Sequence, residues 1–255
     1  MAAILERILE TKRGEIAAMH SRSLPSRFRP RPKNLKRKSN EPLHILAEIK
    51  FKSPSAGPLS TDLSVAKRAQ AYERAGASVV SVLCDSTFFG GTYEHLTEAR
   101  DHCELPLLCK EFVIDEVQLD WAYAFGADFV LLIARCLGPA DLSRLYAAAV
   151  ERDLTPVVEI VTHEEATWVK ALGAKVIGVN ARDLDTLVMD AQRPSEVLTS
   201  LDMSLTRFRL SGLKKPSDVA TARDSGVDGV LIGEVLMREA NPEPLLRALV
   251  QAGHP

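Results

Sequence analysis

No run in this chain is apolar for long enough to cross a membrane, and the first twenty residues alternate apolar with charged, so they hold no secretory core. Cysteine is sparse. Cys84, Cys103, Cys109 and Cys136 form no CxxC pair and no metal-ligand spacing, which argues against a bound metal and suits reduced, mostly buried thiols in a cytoplasmic protein. The charge excess is small as well: a net −2 gives no global pull toward nucleic acid or an anionic membrane. What remains is an ordinary soluble composition, 46% apolar and 26% charged over 255 residues. That is enough chain for one large core, at the length where α/β barrels are common.

One segment departs from this balance. Arg22, Arg27, Arg29, Arg31, Lys33, Lys36, Arg37 and Lys38 fall together with three prolines and no acid. Such a run can bind nucleic acid. Only one aromatic, Phe28, lies within it, so a solvated linker is the better reading. Ahead of it, Ile4, Leu5, Ile8, Leu9 and Ile16 keep a helical stripe with charges on the other face. This helix is expected to dock on the outside or the bottom of the main body.

The rest of the chain repeats. Short apolar runs recur as ILAEIK, SVVSVLC, PLLCK, DFVLLIA, TPVVEI, KVIGV, RFRL and GVLIG, with stretches of helical period between them. Four of those helical stretches end in a glycine followed by a small residue, at Gly76, Gly126, Gly173 and Gly226, about every fifty residues. Glycine there is the usual left-handed helix stop, and each interval holds two βα units. Continuous apolar strands separated by helices call for a parallel sheet covered on its outer face. Eight of them make a single α/β (β/α)8 TIM barrel with an N-terminal helical extension. Residues 1–44 supply the helix and basic linker and residues 45–255 the barrel; a doubly wound sheet is the competing arrangement.

In such barrels chemistry collects where the strands end. Those positions are Lys50, Asp85, Lys110, Arg135, Glu159, Asn180, Ser211 with Gly212, and Gly233. Glu48 and Lys50 stand two residues apart, so on a strand they share a face and can hold each other ionised. Glu159 lies inside the apolar sequence Pro156-Val157-Val158 and Ile160, and Lys110 follows Leu107-Leu108-Cys109. Lysines and glutamates sharing one mouth tune one another's protonation, as a general acid and base require. Ser211-Gly212 and Gly233 follow the last two strands, where backbone N–H groups often bind phosphate. A phosphorylated small molecule is the expected ligand.

In order and at the family's spacing, AEIKFKSPSAG, SVLCDSTFFGG, LLCKEFVID, GADFVLLIA, VVEI, GVNARDL and GVLIGEVLM resemble indole-3-glycerol phosphate synthase of tryptophan biosynthesis over essentially the whole length. The resemblance implies a carbon-carbon lyase. It would close the ring of 1-(o-carboxyphenylamino)-1-deoxyribulose 5-phosphate with loss of carbon dioxide and water, needing no cofactor and no metal. It also implies roles. Lys110 matches the general acid, Glu159 the carboxylate that moves the proton, Glu48 and Lys50 a charge-stabilising pair, and Asn180 a conformation-fixing amide. Ser211, Gly212, Gly233 and Glu234 match the phosphate side, with Arg182 a charged contact nearby and Ser53 in the first loop. Phe89, Phe112, Leu131, Leu184 and Leu187 match the lining of the aromatic pocket. The expected partners exclude nucleic acid and membrane, and the expected state is a monomer or weak dimer.

Three residues depart from the family pattern. Glu111 stands where Asp is commoner, Ala181 where Asn is, and Leu210 where a Glu precedes Ser-Gly. The last removes a negative charge and an acceptor from the mouth. A Schiff-base aldolase using Lys110, a phosphosugar isomerase and a low-activity variant therefore stand as alternatives on the same scaffold.

Overall fold

The computed structural model describes residues 4–25, 34–38, 40–59, 62–182, 190 and 193–255. Eight strands run parallel: β1 (His44–Ile49), β2 (Val79–Leu83), β3 (Leu107–Lys110), β4 (Phe129–Ile133), β5 (Thr155–Ile160), β6 (Val176–Asn180), β7 (Thr206–Leu210) and β8 (Gly229–Ile232). Each pairs with its neighbour in sequence, and β8 closes the ring on β1 from His44↔Gly229 to Ala47↔Ile232. The eight apolar runs of the sequence are these eight strands, and the closed barrel replaces the open sheet as the alternative. Outside it lie α2 (Val65–Ala75), α4 (Glu94–His102), α5 (Glu116–Ala124), α6 (Ala134–Glu151, broken at Gly138), α7 (His163–Leu172), α8 (Arg193–Thr199), α9 (Pro216–Asp224) and α11 (Glu243–Ala252). Two short helices, α3 (Ser86–Phe89) and α10 (Glu234–Arg238), sit directly after β2 and β8, and α1 (Ile4–Met19) precedes the barrel. A two-stranded hairpin, Lys52–Ser53 with Gly57–Pro58, orders the loop after β1.

Local sequence explains where these helices start and stop. Asp115 with Gln118, and Thr162 with Glu165, form reciprocal caps that open α5 and α7. The stop glycines Gly76, Gly126, Gly173 and Gly226 take φ of 92°, 100°, 69° and 76°, a region that costs any residue with a Cβ.

Strand alternation divides the apolar side chains into two cores. Ile45, Ala47, Ile49, Val80, Val82, Leu107, Cys109, Val130, Leu132, Val158, Ile160, Ile177 and Val179 face the helices. Leu46, Val79, Leu108, Phe129, Leu131, Val157, Val176, Phe208, Leu210 and Leu231 fill the barrel interior. Leu35 belongs to that interior cluster and closes its lower end. Beside it, Lys36 Nζ donates to Asp228 Oδ2 at 3.1 Å and the Arg37 N–H to Asp228 Oδ1 at 2.9 Å. This part of the basic segment is therefore docked under the barrel and is not a solvated linker.

The expectation of an outer or lower dock for α1 holds in part: its Met19 and Ile16 pack in the outer core, beside α5, but its first half covers the mouth. Its Leu5 and Ile8 join the interior cluster from the other end, and Ile4 and Ile8 line the mouth cavity. The stripe was legible, but an apolar face says only that it must be covered, not by what.

Leu35→Ala is expected to lower stability by about 2–4 kcal/mol in chemical denaturation, the cost of a cavity at a buried leucine. A loss below about 0.5 kcal/mol would show that the floor collapses without it.

Candidate active site

The polar mouth continues the interior rows of side chains. Two residues beyond Leu46 comes Glu48, beyond Leu108 comes Lys110, and beyond Val157 comes Glu159; Asn180 stands four beyond Val176. Each has the inward direction of its apolar predecessor, now at the open end. Glu48, Lys50, Ser53, Lys110, Glu159, Asn180, Arg182, Ser211, Gly212, Gly233 and Glu234 line one cavity, and Phe89, Phe112 and Leu131 line it too. Leu184 and Leu187 lie outside the described residues.

Two charge pairs face each other across this cavity. Lys50 Nζ donates to Glu48 Oε1 at 2.5 Å, as their shared strand face requires. Burial opposes ionisation of Glu48, but Lys50 and then Lys110 outweigh it and hold the carboxyl below its ordinary range. The second pair is looser: Lys110 Nζ lies 3.7 Å from Glu159 Oε2. Glu159 is 1% exposed. Its Oε1 accepts from Asn180 Nδ2 at 2.9 Å, whereas Oε2 has no hydrogen bond among the described residues. Asn180 is oriented from behind, its Oδ1 accepting from Ser211 Oγ at 2.6 Å and from the Arg182 N–H at 3.0 Å. With two donors on that oxygen, the amide nitrogen must turn to Glu159. Ser211 adopts φ of 84°, a strained conformation for a non-glycine residue that this bond helps to hold.

Two residues beyond Lys110 stands Phe112, whose ring packs against Phe89 with centroids 5.9 Å apart, and Ile8 and Leu131 line the cavity with them. The cavity thus has an apolar, aromatic wall beside its ionisable side chains. At the β8 end, a Cβ on Gly233 would come within 2.4 Å of Glu48 Oε1, so only glycine lets the chain pass so close to that carboxylate.

The sequence matches the family model for indole-3-glycerol phosphate synthase over residues 5–249. The chain belongs to that family. Relatives named indole-3-glycerol phosphate synthase, from Bacillus thuringiensis subsp. konkukian and Bacillus cereus among others, are 35% identical over 242 residues, covering 94% of this chain and 95% of theirs. Among solved structures, 3-hexulose-6-phosphate synthase superposes with a TM-score of 0.62 at 18% identity, over 82% of this chain and 99% of that one. Thiamine phosphate pyrophosphorylase from Pyrococcus furiosus gives 0.61 at 14% identity, over 84% and 96%. These distant likenesses concern the barrel alone.

Two of the strand-end residues are not in the cavity of this synthase-family barrel. Asp85 is fully buried and caps α3, its Oδ1 accepting from the Phe88 and Phe89 N–H groups at 2.6 and 3.1 Å. Arg135 turns outward to Glu165 at 3.1 Å. Glu111, next to Lys110 in sequence, lines the cavity and directs its carboxylate to Lys12 of α1 at 3.1 Å. Among the lining residues missed were Lys214, in the loop after β7, and Ile4 and Ile8, which no spacing within the barrel could have assigned to the mouth.

Leu210 lines the cavity as well and is 2% exposed. A Cβ on Gly178 would lie 2.3 Å from its Cδ1 and 2.8 Å from its Cγ. The leucine therefore occupies the space that glycine leaves on the neighbouring strand. Gly178→Ala alone is expected to cost about 1–3 kcal/mol through overpacking, and Gly178→Ala in a Leu210→Ala background appreciably less. Additive effects in that double-mutant cycle would contradict the wedge.

Proposed function

We propose that this chain catalyses the cofactor-free conversion of 1-(o-carboxyphenylamino)-1-deoxyribulose 5-phosphate to indole-3-glycerol phosphate, releasing carbon dioxide and water. The observation that carries this reading is the buried Glu159, whose unbonded oxygen faces Lys110 at 3.7 Å beside an aromatic wall. Such a pair can give a proton at one point and take one at another without a diffusing base.

The steps assign themselves to the geometry. The aromatic ring lies against Phe89, Phe112, Leu131, Ile4 and Ile8, which line the cavity together. The phosphate binds at the turns carrying Ser211, Gly212, Gly233 and Glu234, where glycines let backbone N–H groups close on an anion. As the ring carbon attacks the ribulose carbonyl carbon, Lys110 gives its proton to the oxygen that becomes a hydroxyl. Loss of the ring carboxyl as carbon dioxide returns the bonding electrons to the ring. Glu159 then takes a proton from the ring carbon beside the nitrogen, the C–H electrons form the new double bond, and the proton passes to the departing hydroxyl, which leaves as water. Glu48 is held ionised by Lys50, so Lys50 is kept in place to meet the substrate's polar groups. Asn180, fixed by Ser211 and Arg182, keeps Glu159 aimed. A Schiff-base aldolase is less well served, because Lys110 Nζ faces the buried Glu159 carboxylate at 3.7 Å, where such chemistry needs a lysine in an apolar pocket.

Indole-product fluorescence with purified protein tests the reading directly. Lys110→Ala is expected to reduce kcat by about two to four decades with the fold intact, and Glu159→Gln to act on kcat more than on KM. Turnover near wild type in folded Lys110→Ala would remove the acid assignment. Leu210→Glu is expected to raise kcat/KM, since a contact with a charged group contributes about 1.5–3 kcal/mol, while lowering the thermal midpoint. No gain in rate would show a pocket built around the leucine.

A further inference from the structure

The buried face of α1 carries Leu5, Ile8, Met19 and one charged residue, Lys12. Lys12 is 2% exposed, one turn along from Ile8, which lines the cavity. An ammonium at that depth is tolerated only when matched by opposite charge. Three carboxylates meet it: Glu15 at 2.8 Å, Asp85 at 2.8 Å and Glu111 at 3.1 Å. Burial works against the ammonium, yet Glu111 and Asp85 outweigh it and its pKa is raised.

Two of these partners have a second task. Asp85 uses Oδ2 on Lys12 and Oδ1 on the Phe88 and Phe89 N–H groups. Glu111 uses Oε2 on Lys12 and Oε1 on the Phe112 N–H at 2.7 Å. A single ammonium is thus joined through two carboxylates to the backbone of both pocket phenylalanines, while its own helix brings the isoleucines.

We propose that Lys12 is the positioning residue of the aromatic wall: through Asp85 and Glu111 it fixes α1, Phe89 and Phe112 as one unit beside the cavity's ionisable side chains. Lys12 touches neither the substrate nor the reacting atoms. The inference rests on the synthase reading for its kinetic consequence but not for its structural one. The closeness of Glu111 to Lys110 in the chain makes the clasp and the acid neighbours on the rim of β3, with side chains directed to different partners.

Lys12→Met is the direct test. It strands two buried carboxylates, so the neutral triple variant Lys12→Met/Asp85→Asn/Glu111→Gln is made beside it, which keeps an oxygen acceptor for each capped N–H. In whichever variant folds, KM is expected to rise about tenfold or more with kcat within about threefold, because positioning of the bound ring is lost while the acid and base remain. Amide exchange across α1 should rise about tenfold or more relative to β4–β6, and in Lys12→Met the Phe88, Phe89 and Phe112 amides should follow. KM within about twofold of wild type, or exchange that rises uniformly over the barrel, would overturn the proposal. If wild-type protein does not turn over the substrate at all, the synthase reading fails, and the exchange measurement still judges the clasp.

A pH measurement adds a readout independent of substrate. Glu111 is faced by Lys12 from α1, by Asp85 and Cys84 beyond β2 and by Tyr93, with Glu15 beside Lys12 and Cys109 beside Cys84. Burial first, and then Asp85's charge, raise its carboxyl from 4.5 to about 7 against the pull of Lys12. Between those values the folded protein holds a proton that the unfolded chain has released, so this group makes stability fall as pH rises through the window. Glu111→Gln should flatten that slope. An unchanged slope would mean that Glu111 is not held in this cluster.

Discussion

Alternation along eight parallel strands governs this molecule. Each strand sends every second side chain to the helices and the others into a closed interior. Because the ring is closed, the inward rows have one free exit, the end at which the strands stop. The same rule that packs Leu46, Leu108 and Val157 against one another brings Glu48, Lys110 and Glu159 to face one cavity. These three side chains need no loop to hold them; they stand on the strands themselves. What the loops add is orientation, as where Ser211 fixes Asn180 and Asn180 fixes Glu159.

Charge in the upper barrel is arranged in two separate sets. Within the cavity Glu48, Lys50, Lys110 and Glu159 balance one another at short range. At its edge, under α1, Lys12 faces Glu15, Asp85 and the cavity-lining Glu111, where acids outnumber the base and one carboxyl is driven toward neutrality. The first set is open to a ligand and can change protonation during chemistry. The second is closed off by a helix and serves to hold shape. Glu111 belongs to the second set although it follows Lys110 directly, because neighbouring residues project in different directions.

The strands, the stop glycines and nearly all of the candidate site could be read from the sequence, since each is set by local pattern: apolar period, a glycine after a helical stretch, a polar residue where an apolar run ends. Asp85 and Arg135 satisfied that last rule and still did not enter the cavity. Both sit past the last residue of their strands, where strand alternation no longer sets direction. The place of α1 was illegible for another reason, since Lys12 finds Glu111 across 99 positions and nothing local encodes such a meeting. Leu210 announced itself in the sequence only as a missing carboxylate. In space it is also half of a pair, filling what Gly178 leaves open.

The N-terminal segment grips both ends of the barrel, α1 above at Asp85 and Glu111 and the residues from Leu35 to Arg37 below at Asp228. Lys36 meets Asp228 across 192 positions. On a ribosome this segment emerges ahead of the barrel: α1 can meet Asp85 and Glu111 once β3 is made, but Lys36 and Arg37 must wait for Asp228, just before β8. Long-range closure of this kind is slow. Lys110 is made long before the cavity it lines is whole, since Gly233 and Glu234 of that cavity follow β8.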